Sequence, residues 1–219
     1  MKKHELLVWT SACALGLGVG FVVMAQMKML IEFGFNWEMH WNWIEKPVDQ
    51  GALEYVSQLM GVLVIGTIFG SAQALAVRSR NVRVFRWILA TIAGFGIVVV
   101  AIVWPLIALG VMGNIPGPVE PIIFTIGGGS LAGICQYVLM RSQGIFAGKW
   151  LALWIAGLIV GLVATALFFS LAEGPLDIAL NWPAEIFVSG FIVAGVAALI
   201  SGKALFNSLP ERPENSGHP

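Results

Sequence analysis

The chain has 219 residues, 58% of them hydrophobic and 11% charged, with a formal net charge of zero and a mean hydropathy of +0.86. Soluble domains carry about a quarter of their residues as charges, so this composition excludes a water-soluble domain and points to a chain whose solvent is lipid. The charge balance gives no basic surplus for a polyanion, and no nucleic-acid partner is expected.

Six apolar runs, near residues 6–30, 53–77, 84–111, 119–140, 150–172 and 184–205, have the length needed to cross a hydrocarbon core of about 30 Å. They predict an all-α integral membrane protein with six transmembrane helices in a single domain, 1–209. The Pro-, Asn- and Gly-containing tail, 210–219, reads as polar and disordered.

The first run follows Lys2 and Lys3 and extends from Leu6 to Ile31, longer than a signal-peptide core and without a small-residue cleavage site, so it reads as an uncleaved helix. It opens with Trp9 and carries Gly16 and Gly20. Cys13, like Cys135 further on, stands in an apolar span with no ligating neighbour and reads as a small buried hydrophobe.

Residues 32–50 form a first outer loop. From Glu32 to Trp43 large apolar and polar side chains alternate, which at period two is a strand, whereas Phe33, Trp37, Trp41 and Ile44 also fit a helix. A short interfacial helix or lid is the preferred reading. Trp37, Trp41 and Trp43 are its candidate partner surface, and they fit an ordinary aromatic belt equally well. Lys28, and Glu185 near the end of the chain, either pair or snorkel to the interface.

The second and third runs meet at a basic turn, and the fourth and fifth meet at another with the same landmarks 63 residues later. Gly66, Gly70, Gln73, Arg78, Ser79, Trp87 and Gly94 correspond to Gly129, Gly133, Gln136, Arg141, Ser142, Trp150 and Gly157. This register predicts a duplicated unit. Trp9 precedes Gly16 as Trp87 precedes Gly94, and Gly195 precedes Lys203 much as Gly133 precedes Arg141, so a third, degenerate copy with Ala198 in place of the glutamine is expected. The prediction is three parallel hairpins, about 9–78, 87–141 and 150–203, rather than inverted repeats.

Glycines four apart, at Gly16 and Gly20, Gly66 and Gly70, Gly129 and Gly133, and Gly157 and Gly161, flatten a helix face for close packing. Trp9, Trp87 and Trp150 are predicted at one headgroup boundary and Trp182 at the other. The outer turns fall at Gly113–Pro121 and Glu173–Pro183, each marked by prolines.

Ten of the twelve basic residues, namely Lys2, Lys3, Arg78, Arg80, Arg83, Arg86, Arg141, Lys149, Lys203 and Arg212, fall on one side of this arrangement. Short basic loops remain cytoplasmic, so both termini are expected inside. The arginines of the 78–86 turn are a topology signal and also suit anionic lipid.

Gln73 and Gln136 are the candidate polar intramembrane positions. Each amide needs a partner at that depth, either as glue between helices or as the floor of a solute site.

Catalytic groups are scarce. His4, His40 and His218 lie outside the apolar runs, which removes the usual axial haem ligand and the imidazole base of an intramembrane hydrolase. Ser130, after Gly128 and Gly129, superficially resembles a rhomboid nucleophile but has no histidine on the last helix to activate it. Without HExxH, a phosphate loop, CxxC or clustered carboxylates, no metal or cofactor is expected and the chain reads as non-enzymatic.

The segments GSAQALAVRS, Gly70–Ser79, and GICQYVLMRS, Gly133–Ser142, resemble a group of uncharacterised bacterial membrane proteins with repeated GxxQWxxLR hairpins. Ala74 and Tyr137 replace the tryptophan of that pattern, and the first outer loop is longer. The resemblance implies a bacterial inner membrane and a repeated hairpin, and no reaction. The leading expectation is a subunit or stabilising partner of a membrane complex. The alternative is a carrier or channel for a small neutral solute, which requires both amides to face a polar cavity rather than seal against each other.

Overall fold

The computed structural model describes residues 3–40, 50–78, 80, 82–109, 123–173 and 182–210. Among them the regular structure is helical. α1 spans Lys3–His40, α2 Gln50–Ala76, α3 Val84–Val98, α4 Trp104–Ala108, α5 Gly129–Ser142, α6 Gly148–Glu173 and α7 Trp182–Ser208. Two π-helical segments join them, Val99–Val103 between α3 and α4, and Ile123–Gly128 leading into α5.

Among the described residues, five stretches are long and apolar enough to cross a membrane: Lys3–Ile31, Tyr55–Ala76, Val84–Leu106, Gly148–Ala172 and Pro183–Ser208. The fourth run of the sequence is described from Ile123, where a π-helical turn passes into α5.

The single helix expected over 84–111 is instead α3, a π-segment and α4. Pro105 has no N–H to bond one turn back, and the wider π-turn just before it absorbs that missing hydrogen bond. The backbone of Glu32–His40 continues α1 rather than starting a separate element; with no proline in that stretch nothing breaks the helix, and the alternating pattern yields to the longer helical one. Trp41 and Trp43 lie outside the described residues, as do the Gly113–Pro121 turn, nearly all of the Glu173–Pro183 turn and the tail beyond Pro210.

The long helices pack in chain order, α1 on α2, α2 on α3, α3 on α5, α5 on α6 and α6 on α7, and α7 returns to pack on α1. The helices thus close into a ring. Its seams are built where glycine removes a side chain. A Cβ on Gly16 would stand 2.8 Å from the Ala72 Cβ of α2, one on Gly157 2.6 Å from the Ala197 Cα of α7, and one on Gly161 2.7 Å from the Val193 Cα, while Gly94 lies directly on the Leu131–Ala132 backbone of α5. Gly20 faces Ile65 in the same seam as Gly16.

Of the remaining seams, that at Gly70 and Gly133 repeats the register seen in the sequence, while that at Gly66 and Gly129 does not. Gly70 lies against Ile88 and Thr91 of α3, and Gly133 against Leu151 and Trp154 of α6, each contact shifted by 63 residues. Gly66 lies against Ile92 and Gly129 against Leu158.

Large aromatic side chains fill the ring, with Trp9, Trp87, Trp150, Trp154, Phe69 and Phe95 fully buried. Aliphatic ones such as Leu15, Leu63, Val163 and Leu199 stand exposed on the outside. An exposed apolar surface of this extent suits a chain surrounded by lipid.

Candidate functional site

The polar centre of the ring is assembled by the glycine seams. Gly70 draws α2 onto α3 beside Thr91, and Gln73, three residues further along α2, reaches the same level of α3. Gly94 draws α3 onto α5 at Ala132, and Gln136, one turn beyond Ala132, arrives opposite Thr91, which lies three residues before Gly94. The two glutamines therefore meet, and both are buried.

Their bonding is directional. Gln136 Nε2 donates to Gln73 Oε1 at 2.6 Å and to Thr91 Oγ1 at 2.8 Å. The Thr91 hydroxyl donates in turn to the Trp87 carbonyl at 3.0 Å, closing a local i−4 bond. Gln73 Oε1 also accepts from Trp87 Nε1 at 3.3 Å, and Gln73 Nε2 donates to Cys13 Sγ at 3.7 Å. One acceptor oxygen thus ties α2, α3 and α5 together, and the same side chain reaches α1. Such bonds cannot exchange with water when lipid surrounds the bundle, so each acts as a tether between helices.

The expectation that Trp9, Trp87 and Trp150 ring a headgroup boundary is overturned, because all three are fully buried and converge inside the ring. Trp9 meets Trp87 edge-on with centroids 6.5 Å apart, and Trp87 and Trp150 lie 6.3 Å apart. Trp154 stacks on Trp150 at 6.3 Å and on Phe69 at 6.3 Å, and its indole N–H donates to the Gly129 carbonyl at 3.0 Å.

Each leading tryptophan lies seven residues before a seam glycine, two turns along the same helical face. A face that packs a glycine against a neighbouring backbone points inward, so its tryptophan does too. That spacing was the signal for burial. Nothing in the sequence singled out Thr91 or Trp154, which supply an acceptor and a donor to the centre.

Eight buried polar atoms have no hydrogen-bond partner among the described residues, Gln136 Oε1, Trp150 Nε1, Trp9 Nε1 and Ser201 Oγ among them. Trp150 follows Gln136 by the 14 residues that separate Trp87 from Gln73, yet only the latter pair is bonded, and Gln136 Oε1 and Trp150 Nε1 both stay without a partner.

Below the aromatic layer the basic turn is fastened separately. Arg80 is buried, pairs with Glu5 of α1 at 2.6 Å and lies 5.5 Å from the ring centre of Phe206 on α7. The loop between α2 and α3, the start of α1 and the end of α7 therefore occupy one end of the ring.

Trp37 belongs to the described α1 backbone but its side chain is not described; with Trp41 and Trp43, this candidate partner surface lies outside the residues whose placement is described.

Among the described residues, fold and site together define an all-helical bundle with five membrane-length apolar helices and a buried amide core. No family model matches the sequence, and neither does any curated protein or solved structure.

Proposed function

We propose that this chain is a non-enzymatic multi-pass protein of the bacterial plasma membrane, a subunit or stabilising partner of a membrane complex. In this reading six helices cross the bilayer as three parallel hairpins, with both termini and the basic turns in the cytoplasm. The helical stretch Ile123–Ser142 supplies the span beyond the five already named. The shared 63-residue register of seam contacts and of the Gln73–Gln136 pair supports the duplication, and the charge asymmetry supports the orientation.

One observation carries the functional reading: the two intramembrane amides are turned onto each other and onto Thr91 and Trp87, so the polarity at this depth holds helices together rather than facing a solute path. Purification from native membranes in mild detergent tests it. A second protein should copurify in fixed stoichiometry, whereas a well-behaved lone monomer under several native conditions would contradict the proposal.

The second reading, a carrier for a small neutral solute, draws on these orphaned polar atoms, since buried donors and acceptors ordinarily have partners. Uptake of small neutral solutes into proteoliposomes, abolished by Gln136→Leu, would support it over the structural reading.

A further inference from the structure

We infer that the two basic turns form a docking surface for phospholipids with net negative headgroups, an inference that rests on the membrane reading above and adds to it a lipid class. Arg78, Arg83 and Arg86 of the first turn, and Arg141 and Lys149 of the second, are all exposed. The turns are neighbours at one end of the ring, because Gln73 bonds Gln136 and Trp87 meets Trp150 just inside them.

Glu5, the carboxylate described at this end, is held by Arg80, which is buried and faces inward. The structure thus separates a structural cation from five outward ones, and none of those five has an acidic partner among the described residues. Charges grouped in this way attract a concentrated anion.

The second feature fixes the kind of anion. Phe85, beside Arg86, is 71% exposed, and Phe146, three residues before Lys149, is 76% exposed. A soluble anion has no use for bare phenyl rings, and an acidic protein would have to cover them. A lipid leaflet places acyl chains beside the rings and phosphates beside the cations in one layer, the depth relation an amphipathic surface needs. Anionic headgroups are favoured over zwitterionic ones because no choline or ethanolamine cation offsets their phosphate's attraction to the five charges, with a gain of about fivefold in affinity per basic residue near the surface.

The full chain, purified in mild detergent and mixed with equal amounts of phosphatidylglycerol and phosphatidylcholine, can be examined by native mass spectrometry. Retained lipid should be predominantly phosphatidylglycerol, and the preference should fall by an order of magnitude or more when Arg78, Arg83 and Arg86 are changed to Gln. The change Arg141→Gln with Lys149→Gln should lower it by a smaller factor. Raising the salt to 1 M should reduce the wild-type preference in the same direction, a readout that needs no variant to fold.

Equal retention of both lipids, or a preference untouched by the five substitutions, would overturn the inference. Resistance of the same protein in phosphatidylcholine vesicles to extraction by alkaline carbonate would then leave the membrane reading standing, and its extraction would overturn both.

Discussion

Gln73 Oε1 accepts two hydrogen bonds while Gln136 Nε2 donates two, so the pair is a branch point, and removing either member leaves buried groups unmatched. Gln73→Leu orphans the Trp87 indole and half of Gln136, at a cost of about 1–3 kcal/mol. Gln136→Leu should do less damage, because its Oε1 is already without a partner. Unfolding of the singles and of the double variant in detergent should give a coupling of about 0.6 kcal/mol, within a ceiling of about 1.7; strict additivity would show that the amides do not interact. The glutamines were legible in the sequence as polar positions needing partners, but which partners they take was not. That choice depends on Thr91 and Cys13, two residues with no pattern of their own, being carried to the same level by glycine seams on other helices.

At the scale of the helix, the seams make a sharp distinction among glycines. Gly94 rests on the Ala132 backbone, which cannot swing aside as a side chain can, so Gly94→Ala should lower the thermal midpoint severely, by overpacking of about 1–3 kcal/mol or more. Gly148, at the start of α6, has no atom within 4 Å of where a Cβ would stand, so Gly148→Ala should be neutral or stabilising by up to about 1 kcal/mol. Gly144, in the turn before α6, also has open space but a φ of +76°, and Gly144→Ala should lose about 1–2 kcal/mol from backbone strain alone. Thermal unfolding should show Gly94→Ala most destabilised, Gly144→Ala next and Gly148→Ala least, and equal effects would contradict this ranking. The glycine spacing was readable in advance because period-four small residues have a single geometric use in a helix. Break points within helices were less readable: Pro105 shifts the wide turn to the five residues preceding α4, a local adjustment that hydropathy does not register.

For the whole molecule, the decisive feature is closure, with α7 returning to α1 so that the ring has an inside. A Cβ on Gly195 would lie 3.4 Å from the Ala14 Cβ, near the span of a disulfide. The pair Ala14→Cys and Gly195→Cys, in a chain with Cys13 and Cys135 changed to Ala, should therefore cross-link within one molecule on mild oxidation; exclusively intermolecular products would argue against closure. Composition announced the lipid environment, yet placing the tryptophans in a headgroup belt followed from reading each helix end alone. The seven-residue spacing to a seam glycine marked those faces as inward, whereas closure is a relation between the first and last helices that no local pattern carries. The central claim is that the amide core is sealed. It is tested most directly by introducing Gln73→Cys and Gln136→Cys singly into the chain lacking Cys13 and Cys135, reconstituting each into vesicles and exposing it to a water-soluble maleimide. Neither cysteine should label until denaturing detergent is added, while Arg78→Cys labels at once; labelling of position 73 or 136 in the native protein would show a water-filled path through the ring and contradict the account.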